Sequence, residues 1–398
     1  MKTLPFFSEI YSMIACKRWV MRCIVGCSIF YLGACTNRPT LFQKISSDHS
    51  GIHFNNLIVE NDSVNPMDMV NIYNGGGVGI GDFNRDGKPD IYFTGNMVSN
   101  KLYLNRGDFK FEDITDRAGV GGQGEWCRGV AVVDINNDGW PDIYVCATIL
   151  NDPNRRRNLL YINQGLDKDG IPHFKEMAKE YGLGDTLFST MAEFFDYDKD
   201  GDLDMYLTVN DVPPHTNAAY FRPIITNGSY PSTGHLYRND WDDSLKHPVF
   251  HDVSKQAGIT IEGYGHDATI ADVNGDGWPD IYVTSDFIGD DILYINNHDG
   301  TFTDKLRSYF KHTSATAMGQ DIEDINNDGL ADVIELDMNP PDNLRKKMFL
   351  NTSNYQTYVN SDLFGYQYQY VRNSLQLNQG PRVNGADSIG DPAFSEIS

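Results

Sequence analysis

The sequence predicts an all-β protein, a β-propeller of four-stranded blades, and three observations carry the prediction. A nine-residue acidic loop, D-x-[ND]-x-D-G-x-x-D, occurs five times along the 398 residues. Short apolar segments rich in Ile, Val, Tyr and Phe flank every copy in a fixed order. The copies begin at 82, 134, 196, 272 and 324, so the unit recurs after 52, 62, 76 and 52 residues. Periods of that size mean units that hide their faces only against one another, and four strands per unit suit propeller blades.

The loops come first in the argument. They read DFNRDGKPD, DINNDGWPD, DYDKDGDLD, DVNGDGWPD and DINNDGLAD. Oxygen-bearing side chains at positions 1, 3 and 5 can converge on one point, glycine at position 6 permits the sharp turn, and position 9 returns a further carboxylate. That donor set is the cage of a hard cation with many oxygen ligands, and Ca²⁺ is the expected ion, with a structural role. The expected ligands are Asp82, Asn84, Asp86, Lys88 and Asp90; Asp134, Asn136, Asp138, Trp140 and Asp142; and Asp196, Asp198, Asp200, Asp202 and Asp204. Asp272, Asn274, Asp276, Trp278 and Asp280, with Asp324, Asn326, Asp328, Leu330 and Asp332, complete the five sites. Position 7 would contribute its main-chain carbonyl. A lone Asp/Asn/Gly run is commonly just a solvated turn; the repetition is what argues for metal.

An EF-hand shares positions 1, 3, 5 and 6 but needs a bidentate Glu at position 12. Phe93, Val145, Leu207 and Val283 stand there, with Glu335 only in the fifth copy, and strand-like residues flank the loops where helices would be.

Each loop leads into a strand such as Asp142-Ile143-Tyr144-Val145, then an L-Y-x-N segment, then an F-x-D segment. The L-Y-x-N copies start at Leu102, Leu160, Leu236 and Leu293, with Met348 as a fifth; the F-x-D copies start at Phe111, Phe174 and Phe250, with a degenerate one at Phe302. Leu375–Asn378 and Phe394–Ser398 read as a further unit just begun, so the ring is expected to be incomplete, with the chain an N-terminal portion of a longer protein. Phe42–Ile52, which resembles the F-x-D copies, would then be a lone outer strand. Tyr355–Tyr370 reads as a strand with an aromatic face.

The N-terminus reads as a leader. Lys17, Arg18 and Arg22 precede an apolar run from Cys23 to Ala34, too short to span a bilayer. Residues 1–34 are expected to be a signal peptide, with Met13 and Met21 as alternative starts, residues 35–41 a short linker, and 42–398 the repeat domain. Leu32-Gly33-Ala34-Cys35 resembles the bacterial lipobox, which implies lipidation at Cys35, a lipid anchor as the sole membrane contact, and an extracytoplasmic location, with the outer membrane favoured because Thr36, and not the aspartate that marks inner-membrane retention, follows the cysteine. Four of the six cysteines lie in the leader. The other two, Cys127 and Cys146, fall out of register and on opposite faces of one hairpin, so no bridge is expected.

The net charge of −23 is largely explained by the loops, which place three carboxylates at side-chain ligand positions in four copies and four in the third, sixteen in all. No basic stripe is present, so no nucleic-acid partner is expected. There is no HExxH and no G-x-S-x-G. Gly75–Gly81 leads into a strand with no following helix, which fits close packing near a propeller axis and not a phosphate loop.

With these elements in view, the chain resembles the FG-GAP or VCBS repeat family, over about residues 42–398. GGGVGIGDFNRDGKPDIYFTGN together with F-x-D-I-T-x-x-A-G is similar to the bacterial family related to cartilage acidic protein, whose members often carry a C-terminal ASPIC/UnbV domain; no such segment is visible. The resemblance implies a propeller with Ca²⁺ in the acidic loops.

Function is expected where the repeat is broken. Between Val209 and Leu236 lies an insertion rich in Pro, Asn and Gly that holds Tyr220, Phe221, Arg222 and Tyr230, a candidate ligand loop. Arg155, Arg156 and Arg157 form a smaller positive excursion. The reading is a binding or adhesion module for a protein or glycan ligand; the alternatives are a glycan-active hydrolase or lyase, or an accessory subunit of an outer-membrane nutrient-uptake system.

Overall fold

A computed structural model of the chain describes residues 41–122, 124–212, 220–348, 355–383 and 389–397. The leader, Cys35 and residues 213–219 of the candidate ligand loop lie outside them. No helix among the described residues is long and apolar enough to cross a membrane.

Five four-stranded antiparallel sheets follow one another along the chain, each with its strands in sequence order. Blade 1 is β1 (Val78–Gly81), β2 (Asp90–Phe93), β3 (Lys101–Asn105) and β4 (Phe111–Asp113). Blade 2 is β5 (Cys127–Val133), β6 (Asp142–Ala147), β7 (Leu159–Leu166) and β8 (Pro172–Glu176). Blade 3 is β9 (Ser189–Phe195), β10 (Asp204–Val209), β11 (His235–Asp242) and β12 (His247–Asp252), and blade 4 is β13 (Gly265–Ala271), β14 (Asp280–Ser285), β15 (Ile292–Asn296) and β16 (Phe302–Asp304). Two-residue strands β17 (Thr313–Ser314) and β20 (Gln369–Tyr370) pair in parallel beside blade 5, which is β18 (Ala317–Glu323), β19 (Asp332–Asp337), β21 (Ser374–Val383) and β22 (Ile389–Glu396).

The first strands of successive blades pack against one another, β1 on β5, β5 on β9, β9 on β13 and β13 on β18, as in a propeller. Such an approach needs small side chains: a Cβ on Gly79 or on Gly81 would stand 2.8 Å from a methyl of Val132. The Gly75–Gly81 run is therefore the close-packing element expected of it.

The core lies between blades. Tyr92, Leu102 and Leu104 of blade 1 meet Val130, Ile143 and Val145 of blade 2. Tyr144, Leu160 and Ile162 meet Met205 and Leu207; Tyr206 and Leu236 meet Ile281 and Val283; Tyr282, Leu293 and Ile295 meet Ile322 and Val333. Second-strand residues of blades 2, 3 and 4 are buried on both faces because each of those sheets is sandwiched between two others. The 0 % exposure of Tyr92, Tyr144 and Tyr282 is the result.

Cys127 and Cys146 are buried and free, and they sit in different inter-blade cores. Four expectations need correction. Leu375–Asn378 and Phe394 do not open a sixth unit: β21 and β22 are the third and fourth strands of blade 5, displaced in sequence by an insertion at residues 338–373. Met348 accordingly ends a helix, Asn343–Met348, and is not in an L-Y-x-N strand. Tyr355–Phe364 is likewise helical, leaving only Gln369–Tyr370 as strand. Phe42–Ile52 holds a single helical turn, Ser47–Ser50, and no strand.

Candidate metal loops and an opposite-face cavity

Each acidic loop joins the first and second strands of a blade, and all five fold alike. The position-1 aspartate accepts the N–H of position 5 at 3.0–3.1 Å and, through its other oxygen, the N–H of the position-6 glycine at 2.7–3.1 Å. The position-5 carboxylate accepts the N–H of position 7 at 2.8–3.2 Å. These are Asx turns, and they curl the side-chain oxygens of positions 1, 3 and 5 around one side of the loop. Position 6 has φ between 82° and 101° in every copy, which only glycine adopts without cost.

Position 4 is also left-handed, a requirement the sequence motif does not display: Arg85, Asn137, Lys199 and Asn327 have φ of 55–62°, and Gly275 has 74°. Two of these strained residues strap neighbouring loops together. The Arg85 guanidinium donates to the Gly139 carbonyl and lies 4.3 Å from the Trp140 ring; Lys199 Nζ donates to the Gly277 carbonyl at 2.7 Å and lies 4.3 Å from the Trp278 ring.

Position 9 does more than complete the loop. Asp90, Asp142, Asp204, Asp280 and Asp332 are all 0 % exposed. One oxygen accepts the N–H of position 2 at 2.9–3.2 Å, and the other accepts the N–H of the asparagine of the third strand at 2.7–2.9 Å. The L-Y-x-N asparagine thereby gains a reason. Its main chain is pinned by this carboxylate, and in three blades its amide donates to the position-2 carbonyl of the preceding blade's loop: Asn163 to Phe83, Asn296 to Tyr197, Asn378 to Val273.

Burial, reinforced by neighbouring carboxylates, pushes Asp142 and Asp280 up to about 7 and Asp204 up to about 8. The loops differ in how this charge is met. Lys88 Nζ pairs with Asp86 at 2.9 Å in the first loop, and His298 with Asp276 at 2.9 Å in the fourth. The third has five aspartates and, among the described residues, no ion pair. Oxygens of Asp196, Asp198 and Asp204 lie within 4.8 Å of one another there, and Oδ1 of Asp198 and of Asp202 are buried with no hydrogen-bond partner. Orphaned, converging anionic oxygens are what a divalent cation would satisfy, so this donor set fits the ion. Glu335, the one EF-hand-like position 12, instead accepts from Ser314 N–H at 3.1 Å and from the Tyr282 hydroxyl, away from its loop.

At the opposite end of the blades, where second strands turn into third strands, two insertions meet. Phe221 of the blade 3 insertion packs edge-on against Tyr366 of the blade 5 insertion, ring centres 5.4 Å apart. Tyr220, Arg222 and Tyr230 line a cavity of about 400 Å³ beneath them; Phe221 holds the wall. The candidate ligand loop is thus brought together, and Glu262, Tyr264, Asp290, Asp291, Arg307 and Tyr366 join it. These six lie in inter-strand segments remote in sequence, and only Tyr366, in the long blade 5 insertion, stood where the repeat is visibly interrupted.

Arg222 grips Glu262 through two 2.6 Å bonds and lies 4.8 Å from the Tyr230 ring, whose hydroxyl bonds that of Tyr264 at 2.6 Å. Asp290 accepts the Gln367 N–H and faces Arg307 at 3.9 Å; burial raises it to about 7. Nearer the axis, Arg128, Asn210 and Asp286 surround the buried His266, whose proton affinity is lowered by burial. The arginine excursion is not a basic patch: Arg156 is buried, with Nε on the Thr186 carbonyl at 2.8 Å and its guanidinium 3.8 Å from the Phe188 ring, and Arg155 donates to the Gly124 carbonyl.

A model described as FG-GAP-like repeat matches residues 82–145 and 272–335, each match running from one acidic loop into the next blade's second strand. Cartilage acidic protein 1 of Homo sapiens is 27% identical over 217 residues, covering 54% of this chain and 29% of that protein. The Xenopus tropicalis protein is 25% identical with the same coverage, and that of Mus musculus 26% identical over 211 residues, covering 53% and 28%. The chain therefore spans under a third of the length of these relatives. A solved structure, the V. cholerae biofilm matrix protein Bap1, aligns over 66% of this chain and 34% of its own at 15% identity, with a TM-score of 0.33, a likeness too distant to carry function across.

Proposed function

We propose, for a chain that carries FG-GAP-like repeats in five propeller blades, a calcium-stabilised binding module that works outside the cytoplasm and offers a protein or glycan ligand the face opposite its acidic loops. The observation that carries the metal part is the third loop, with three carboxylates converging within 4.8 Å and two buried oxygens unpartnered. Positions 1, 3, 5 and 9 of each loop, with the position-7 carbonyl, would hold the ion. When bound, it supplies positive charge to clustered carboxylates. The chain's own residues do the rest: the Asx turns orient the donors, and the buried position-9 carboxylate ties the loop to the third strand.

Because the unfolded chain holds no such cage, ion binding is folding energy. Extracellular modules can be filled with dissociation constants as weak as about 10⁻⁴–10⁻³ M, which suits an exported protein. The relatives are named for cartilage, an extracellular matrix, and this supports an extracytoplasmic location. Lipid anchoring at Cys35 rests on the lipobox-like Leu32–Cys35. A glycan-active hydrolase or lyase is the second reading, favoured by one observation: Asp290, raised to about 7, sits in the cavity and could serve as a general acid.

Thermal unfolding of the full chain with and without excess EDTA is the test. At a free ion concentration about ten times the dissociation constant, each filled site contributes about 1.4 kcal/mol, so chelation should lower the midpoint clearly. An unchanged melting curve removes the metal from the proposal.

A further inference from the structure

The cavity between the two insertions has a composition that restricts what it can hold. Its volume, about 400 Å³, lies at the small end of ligand pockets, enough for about one or two sugar-sized rings and too recessed for a flat protein surface. Tyr230, Tyr264 and Tyr366 contribute aromatic walls, and Tyr220, 69 % exposed, stands at the rim. Aromatic faces of this kind accept apolar C–H surfaces, while their hydroxyls hydrogen-bond.

The charged groups point the same way. Arg222 is matched by Glu262 through two bonds, and Arg307 faces Asp290. A cationic ligand would meet both guanidinium groups; an anionic one would meet Glu262, Asp290 and Asp291. With an acid beside each arginine, and with burial holding the other two lining carboxyls, Asp291 and Asp304, toward their protonated form, the cavity offers fixed planar donors and acceptors and little uncompensated field for a net charge. Arg222 is held by Glu262 and Tyr230 before any ligand arrives, so little side-chain entropy is lost on binding. A ligand with one apolar face and a rim of hydroxyls matches such walls: C–H groups on the tyrosines, hydroxyls bridging guanidinium and carboxylate.

We propose that this cavity is a saccharide subsite that takes a neutral sugar ring at the end of a glycan, with Tyr230 as its stacking platform and the Arg222–Glu262 pair as its hydroxyl clamp. The proposal rests on the reading that the face opposite the acidic loops is the binding face.

The test is the calcium-loaded full chain on an array of neutral, uronate-bearing, sulfated and amino-sugar oligosaccharides, followed by titration of the best neutral hit. Neutral glycans should be retained and charged ones not. Tyr230→Ala should weaken the titrated affinity about tenfold, a loss of about 1.4 kcal/mol, whereas Tyr230→Phe, which keeps the ring, should keep most of it. Tyr220→Ala, at an exposed rim position that folding does not depend on, should weaken binding severalfold with an unaltered melting curve. Retention of charged glycans alone, retention of none, or a Tyr230→Ala protein that folds and binds as the parent does would overturn the subsite. The calcium dependence of melting is read separately, so loss of the metal proposal and loss of the saccharide proposal give different results.

Discussion

On the face that carries the acidic loops the five blades are near copies, whereas on the opposite face no two turns agree. On the acidic face nine-residue hairpins recur with the same Asx turns, the same left-handed positions 4 and 6 and the same buried position-9 carboxylate. The connections between second and third strands occupy residues 94–100, 148–158, 210–234, 286–291 and 338–373, and share neither length nor composition. A loop whose oxygens must converge tolerates almost no variation. A connection that need only rejoin two strands can grow at a cost that rises merely with the logarithm of its length. Stability is therefore expected from the uniform face and recognition from the irregular one.

The sharpest way to break that division is to alter one residue on each face. Asp142→Ala deletes the acceptor of two buried N–H groups, and unfolding by urea should show a loss of about 2–4 kcal/mol. Tyr220→Ala on the opposite face should change stability by less than about 0.5 kcal/mol. Equal effects would abolish the distinction.

An effect of similar size is read on the irregular face by pH. Asp290 is raised to about 7 in the folded chain by burial, above the ordinary aspartate value, so the folded state holds a proton that the unfolded state has released. Its contribution is present in full below about pH 4 and is lost as pH rises through about 7. Between those limits the calcium-loaded parent should lose stability relative to Asp290→Asn by something on the order of 4 kcal/mol. Parallel curves for the two proteins would contradict the raised proton affinity of the buried Asp290.

Smaller is the strap between acidic loops. Lys199→Ala should cost about 0.5–1 kcal/mol. In a double-mutant cycle with Trp278→Ala the two losses should not add, because both remove one contact. The least change is expected from Asn137→Gly at a left-handed position 4: a gain of at most about 1 kcal/mol in the same unfolding assay.

Much of the acidic face was legible in the sequence, because ligand spacing and the position-6 glycine are local constraints. The strand that follows each loop was legible too, since residues such as Tyr144 and Val145 must be apolar on both faces. What escaped were roles that depend on neighbours in space. That the third-strand asparagine reaches the preceding blade, or that Arg85 and Lys199 strap the next loop, follows from blade-to-blade distance and from no pattern within one repeat. Blade 5 was misread for a related reason. An insertion at residues 338–373 separates β19 from β21, and counting along the chain gave its third and fourth strands to a new unit. The helix Tyr355–Phe364 within that insertion buries only Ser361, so it shows no apolar stripe by which it could be recognised. The cavity was half visible: its tyrosines and arginine stood in an obvious interruption, but its acids lay in short turns of another blade.

The straps of the acidic face also give the ring a mechanical grain. Arg85 ties the loop of blade 1 to that of blade 2, and Lys199 ties blade 3 to blade 4, while Asn137 and Gly275 occupy the corresponding position at the other two seams. A tensile load drawn across such an array, as an anchored protein gripping a ligand would feel, meets strapped and unstrapped joints in alternation. Yielding should start between blades 2 and 3, which among the described residues have neither a strap nor an asparagine amide reaching back to the preceding loop, whereas Asn378 still holds blade 5 to the loop of blade 4; the array would part first into two blades and three.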